Sequence, residues 1–184
     1  MLDIVNVIIQ GIVGVATVAA VIVALYETHL NKKSRKEDIK RHQPIRISSW
    51  YEAAPNECAR PNDKRFVWRS VALRNESEAP VYNVIVTCVG FQGAGPPRKG
   101  EENRSDYPCR TCVGTLPPGF WFAWLPTRGS GMHVVTATEI AFTDANGISW
   151  VRRGNGNLEE IDLDPVLFYR LGLPVEWSGC TRAD

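Results

Sequence analysis

Two hydrophobic periodicities divide this chain. Residues 4 to 26, IVNVIIQGIVGVATVAAVIVALY, carry no charged side chain, and only Asn6, Gln10 and Thr17 interrupt the apolar ones. At about 1.5 Å per residue, a helix of that length crosses a bilayer core of about 30 Å. The run therefore predicts a transmembrane helix within residues 1–27. A buried core helix would need apolar partners all round, and the remaining chain offers mostly short strand-like segments. A signal peptide normally has positive charge ahead of its apolar region. Here only Met1, Leu2 and Asp3 precede it, and apolar sequence continues past the small residues Ala16 to Ala20.

From Ile45 onward the period falls to two, the spacing of strands. Ile45–Tyr51, Phe66–Arg74, Val81–Val89, Thr111–Leu116, Gly119–Leu125, His133–Thr143 and Ile148–Arg153 alternate or are rich in β-branched residues. Asn75–Pro80 is a short polar link and predicts an antiparallel hairpin between its flanking strands, and Asn146-Gly147 is a strong hairpin-turn signal. Asn56–Lys64 reads as a loop, and Gly90–Pro108 as a long exposed one of the kind that is often functional. The tail from Leu158 to Trp177 predicts one short helix near Pro165–Leu171 and then an extended end. The chain is thus mainly β: an N-terminal transmembrane α-helix followed, over residues 45–184, by an antiparallel immunoglobulin-like β-sandwich. The Cys…Trp…Cys pattern of an antibody domain does not accompany it.

Charge separates these two parts. Residues 28–44 form a basic juxtamembrane linker with Lys32, Lys33, Arg35, Lys36, Lys40 and Arg41, followed by Arg46, against Glu37 and Asp38. Basic residues beside a spanning helix stay on the cytoplasmic side, which predicts a cytoplasmic C-terminal domain in the cell membrane. Lys32, Lys33, Arg35, Lys36, Lys40 and Arg41 are candidate contacts to anionic lipid headgroups, and a plain topology signal plus solvated linker is the simpler reading. The net charge of +1 hides this gathering of positive charge at the membrane edge. No basic patch with interleaved aromatics stands out in the domain, so nucleic-acid binding has no support.

Chemistry is sparse. Cys58, Cys88, Cys109, Cys112 and Cys180 are scattered, odd in number and set in a domain expected to face the cytoplasm, which does not describe a disulfide framework. Cys109-Arg110-Thr111-Cys112 has the spacing of half a zinc site, with no second pair to complete it. A redox Cys-x-x-Cys precedes a helix, whereas Val113 to Gly119 cannot be one. Reduced thiols are the expectation; in an outward-facing domain Cys109 and Cys112 would close a small loop.

His29 and His42 lie in the juxtamembrane stretch, and His133 alone builds no triad. Asp144 sits in the expected hairpin turn, where a carboxylate caps backbone amides. Glu159, Glu160, Asp162 and Asp164 lack the loop spacing of an EF-hand. No catalytic residue, cofactor or metal is assigned. The conspicuous segment is GFWFAWL, where alternation sends Phe120, Phe122 and Trp124 to one face and Trp121 to the other. These four are core packing or a partner-binding patch.

Two stretches carry a resemblance. Asn75 to Val84, read as N-x-S-x-x-P-V-Y-x-V, and Phe142 to Arg152, read as F-T-D-x-x-G-x-x-W-x-R, resemble hairpins of uncharacterised single-pass membrane proteins of actinobacteria and their phages. The resemblance implies a membrane setting and a β-sandwich-like domain, with no activity to transfer. The expected function is a non-catalytic interaction module on the membrane, with the bilayer and a protein as partners. The alternatives are an enzyme acting near the membrane and a phage or prophage membrane protein that modulates infection.

Overall fold

Among the described residues there are nine strands, and in the longer ones alternating apolar side chains place one face against a shared core and the other outward. The structure, a computed structural model, describes residues 21–22, 24–29, 31–32, 35, 37–55, 58–92, 109–127 and 134–183. The chain divides into two units, Met1–His42 and Gln43–Asp184.

In the first unit the described residues from 21 to 41 are helical. The described residues between 28 and 41 of the stretch expected to be a linker are therefore helical. Residues 28–41 contain no Gly or Pro, and four Lys and two Arg among them are good helix formers. Among the described residues no helix is long and apolar enough to cross a membrane. Most of the expected span, residues 1–20 and 23, lies outside the described residues.

The second unit opens with a single 3-10 turn, Pro44–Arg46, and then the strands begin. They are β1 (Ile47–Tyr51), β2 (Val67–Asn75), β3 (Val81–Gln92), β4 (Arg110–Leu116), β5 (Gly119–Thr127), β6 (Val134–Thr143), β7 (Ser149–Arg152), β8 (Leu158–Ile161) and β9 (Thr181–Arg182). They form two antiparallel sheets, ordered β1-β2-β5-β9 and β4-β3-β6-β7-β8. The inner faces of both sheets supply one core. Ile47, Val71, Leu73, Ala123 and Leu125 come from the first sheet; Val84, Val86, Val113, Ile140, Phe142 and Trp150 come from the second.

The seven expected strands all occur, and two pairing details change. β2 and β3 are not a hairpin: they belong to different sheets, and Asn75–Pro80 is a corner between them. The tail also adds two short strands, β8 and β9, to the helix expected near Pro165–Leu171, which spans Pro165–Phe168.

That tail wraps the domain. From Pro165–Phe168 onward, the side chains of Val166, Phe168, Tyr169, Leu171 and Val175 cover Ile85, Cys112, Ala141 and Val151 on the outer face of the second sheet. Ser178 N then donates to Cys112 O at 2.7 Å, on the outward edge of β4. Finally β9 pairs with Trp121 and Phe122 at the edge of β5. The opposite edge, β1, is closed differently: Ile47 O accepts from Arg152 Nε at 2.7 Å and Ser49 O from the Thr138 hydroxyl at 2.8 Å. Occupied edge carbonyls leave little for a foreign strand to pair with.

Candidate interaction surfaces

A site that performs chemistry needs polar groups with hydrogen-bonding capacity to spare, and the buried polar residues Gln43, Asn75 and Asp144 are engaged with other side chains and with the backbone. Where the chain enters the domain, Gln43 Nε2 donates to Ala79 O and Pro80 O at 3.1 and 3.2 Å, and Gln43 Oε1 accepts from Ala145 N at 2.9 Å. Asn75 Nδ2 donates to Ala79 O and Leu116 O, both at 3.0 Å, and its Oδ1 takes Ser77 N at 3.0 Å. The N-x-S-x-x-P pattern is thus a hydrogen-bonded corner that turns the chain from one sheet to the other.

The second pattern is structural in the same way. Asp144 is 1% exposed, and Oδ1 accepts from the amides of Asn146 and Ile148 at 2.8 and 3.0 Å. Its Oδ2 accepts from the Trp150 indole at 2.9 Å. Gly147, at φ +80°, supplies the left-handed residue this hairpin needs. Arg152 donates to the carbonyls of Pro44, Ile45, Ile47 and Gly156, and burial lowers its pKa.

On the outer face of the second sheet, Glu139 is 3% exposed beneath the tail. It accepts from the Tyr169 hydroxyl and pairs with Arg153 at 3.1 Å, and Arg153 also pairs with Glu159 at 3.0 Å. Burial first, and then the Glu139 charge, push the Tyr169 phenol well above its ordinary pKa. Asp164 caps the short helix through Val166 N at 2.8 Å and takes Asn83 Nδ2 at 2.7 Å. Asn83 itself sits at φ +50° where the β3–β6 register shifts. These carboxylates hold the tail down. Among the described residues, no group of three or more His, Cys, Asp or Glu is placed to hold a metal ion.

The aromatic segment divides as alternation predicts. Trp121 packs against the inter-sheet core and donates its indole N–H to Pro117 O at 3.1 Å. Phe120 and Phe122 lie on the outer face of the first sheet, and the register sets Trp124 on the same face opposite Ser70. Sequence reasoning missed two more residues of this face, Trp50 on β1 and Trp68 on β2, because only the strand register reveals them: Trp50 pairs with Ala72, which pairs with Phe122. Trp50 stacks on Phe120 with centroids 5.7 Å apart, and Phe120 meets Phe122 at 5.2 Å.

The segment after β1 roofs the middle of this face. Ala54 N bonds to Ser70 Oγ at 3.0 Å, and Cys58 packs with Ala72 and Phe122, leaving Phe122 only 5% exposed. The far end stays open as a groove of about 330 Å³ lined by Tyr51, Glu52, Trp68, Arg69, Ser70 and Trp124. Arg69 lies over the Tyr51 ring, 4.4 Å from its centroid.

Lys32, Arg35 and Arg41 are exposed on the helical segment and Lys40 is half-buried; Lys33, Lys36 and His133 lie outside the described residues. All five cysteines carry thiols. Cys112 faces the outer cluster beneath the tail, whereas Cys109 lies opposite Cys88 on β3. The Cys-x-x-Cys residues therefore point to opposite faces, as residues three apart on a strand must.

No protein-family model, no curated protein and no solved structure matches this chain.

Proposed function

We propose that the chain is a membrane-tethered, non-catalytic interaction module. The apolar run through residues 4–26 holds it in the bilayer, and the basic stretch from Lys32 to Arg41 keeps the domain on the cytoplasmic side. The strand order supports an immunoglobulin-like sandwich: β1-β2-β5 facing β4-β3-β6-β7 follows the A-B-E and C′-C-F-G arrangement of such folds.

The observation that carries the interaction reading is the open aromatic groove between Trp68 and Trp124. The buried polar clusters described above are spent on corners, turns and the tail. The groove presents two tryptophans, Trp68 and Trp124, beside Glu52 and Ser70, an exposed aromatic surface of the kind that protein contacts favour.

A photocrosslinking residue at Ala53, on the groove wall, tests this in living cells against the same residue at Glu160, on β8 of the other sheet. The proposal expects discrete crosslinked protein bands from position 53 that disappear with Trp124→Ala, and none from position 160. Equal crosslinking from both positions, or bands indifferent to Trp124→Ala, removes the groove as the contact.

A further inference from the structure

We infer that Cys88 and Cys109 form a thiol–disulfide redox site across the β3–β4 ladder. In this pair of strands Thr87 lies opposite Arg110 and Val86 opposite Thr111, so the next position sets Cys88 opposite Cys109. Cys88 N donates to Cys109 O at 2.9 Å, which makes them a hydrogen-bonded antiparallel pair one step beyond the first residue of β4. Directly opposed residues share a face, and here that face is inward. Val84, Val86 and Val113 of the same set belong to the inter-sheet core, and Cys88 packs against it.

The separation suits the bond. Cα atoms of a hydrogen-bonded antiparallel pair lie about 5.5 Å apart, inside the range of about 4.4–6.8 Å that disulfides span. Their Cβ atoms sit about 4.5–5.5 Å apart and must draw together to about 3.8 Å, so the product is a reducible bond and not a permanent staple. The other three cysteines are placed differently: Cys58 lies under the roof of the first sheet, Cys112 under the tail on the second, and Cys180 in the tail itself. Cys109 and Cys112, the pair suggested by spacing, are on opposite faces of β4.

Exposure sets the order of events. Cys88 is half-buried and Cys109 buried, at 7%. The Cys88 thiolate attacks a small disulfide such as glutathione disulfide, forming a mixed disulfide and releasing one glutathione thiolate. The Cys109 thiolate then attacks the Cys88 sulfur, closing the Cys88–Cys109 bond and releasing the second glutathione. The two thiol protons leave with the two glutathiones, so the protein pair is oxidised by two electrons and glutathione disulfide is reduced by two. This inference stands on the register and does not depend on the proposed groove or on the side of the membrane.

The full-length chain in mild detergent is equilibrated in glutathione buffers from reducing to oxidising, acid-quenched, unfolded, alkylated and digested for mass spectrometry. Alkylation of Cys88 and Cys109 is expected to fall together, with one crosslinked peptide appearing in their place, while Cys58, Cys112 and Cys180 stay alkylated as in the reduced protein. Cys109→Ala is expected to trap glutathione on Cys88 at least tenfold above the parent, and Cys88→Ser to leave Cys109 reduced. Oxidation that joins Cys109 to Cys112, pairs any other cysteines, or yields glutathione adducts on the parent with no crosslink overturns the assignment. So does glutathione trapped on Cys109 in Cys88→Ser with none on Cys88 in Cys109→Ala.

Discussion

Replacing Asp144 with alanine tests whether the F-T-D-x-x-G-x-x-W-x-R pattern is structural. The carboxylate satisfies three donors: the amides of Asn146 and Ile148 and the indole of Trp150. Trp150 is 1% exposed, so its orphaned N–H has no route to water and costs about 1–3 kcal/mol. The two amides lie in a turn whose residues 145–147 are exposed, so water recovers part of their loss, at about 0.5–1 kcal/mol each. The sum is about 2–5 kcal/mol. With a urea slope of about 2 kcal/mol/M, the middle of the usual range for small domains, the midpoint drops by about 1–2.5 M. A urea titration of the full-length chain in micelles, followed by tryptophan fluorescence, reads this directly. Asp144→Asn retains an oxygen for the turn amides but sets an NH2 group against the indole, so its midpoint falls between parent and alanine. An Asp144→Ala midpoint within about 0.3 M of the parent would refute the reasoning.

Two further outcomes follow from the tail and its tyrosine. Ending the chain at Gly172 removes the Ser178 contact to Cys112 O and the β9–β5 pairing, and native-state alkylation of Cys112 is expected to accelerate at least tenfold. An unchanged rate would show that the tail does not protect that edge. Tyr169 has its pKa raised above the ordinary value of 10.0 by burial and by Glu139, so its contribution is fully present below that value and is lost as pH rises beyond it toward the folded-state pKa. The urea midpoint should therefore fall above about pH 10, and fall less steeply in Tyr169→Phe, as titrations across that interval would reveal. Equal slopes in the two proteins would contradict the assignment.

Strand positions were legible along the chain because alternation is a local property. Val81–Val89 and His133–Thr143 announce a face by their own composition, and Asn146-Gly147 announces its turn. Pairing was not legible. Asn75–Pro80 is short and polar, as a hairpin link would be, yet Asn75 and Gln43 hold it as a corner between sheets. Gln43 lies far away in sequence and gives no local sign of this role. β8 and β9 were hidden for a related reason: Leu158–Ile161 and Thr181–Arg182 are too short to show a period, and they exist through the strands they join. The aromatic face was half visible. GFWFAWL drew attention to Phe120, Phe122 and Trp124, but Trp50 and Trp68 join them only through register. Cys88 and Cys109 were overlooked in the same way, since the nearby Cys112 is the obvious companion until the faces of β4 are known.

The most direct test of a membrane-tethered, cytoplasm-facing module uses one introduced thiol. Among the native cysteines, Cys58, Cys109 and Cys112 are buried and Cys88 and Cys180 half-buried, whereas Asn157 is exposed beside the β7–β8 turn. Asn157→Cys is treated with a membrane-impermeant maleimide in intact cells and again after lysis, with the parent chain as background. The account predicts protein that sediments with membranes after alkaline washing and is labelled above background only after lysis. Labelling of intact cells, or protein released by the alkaline wash, would contradict it.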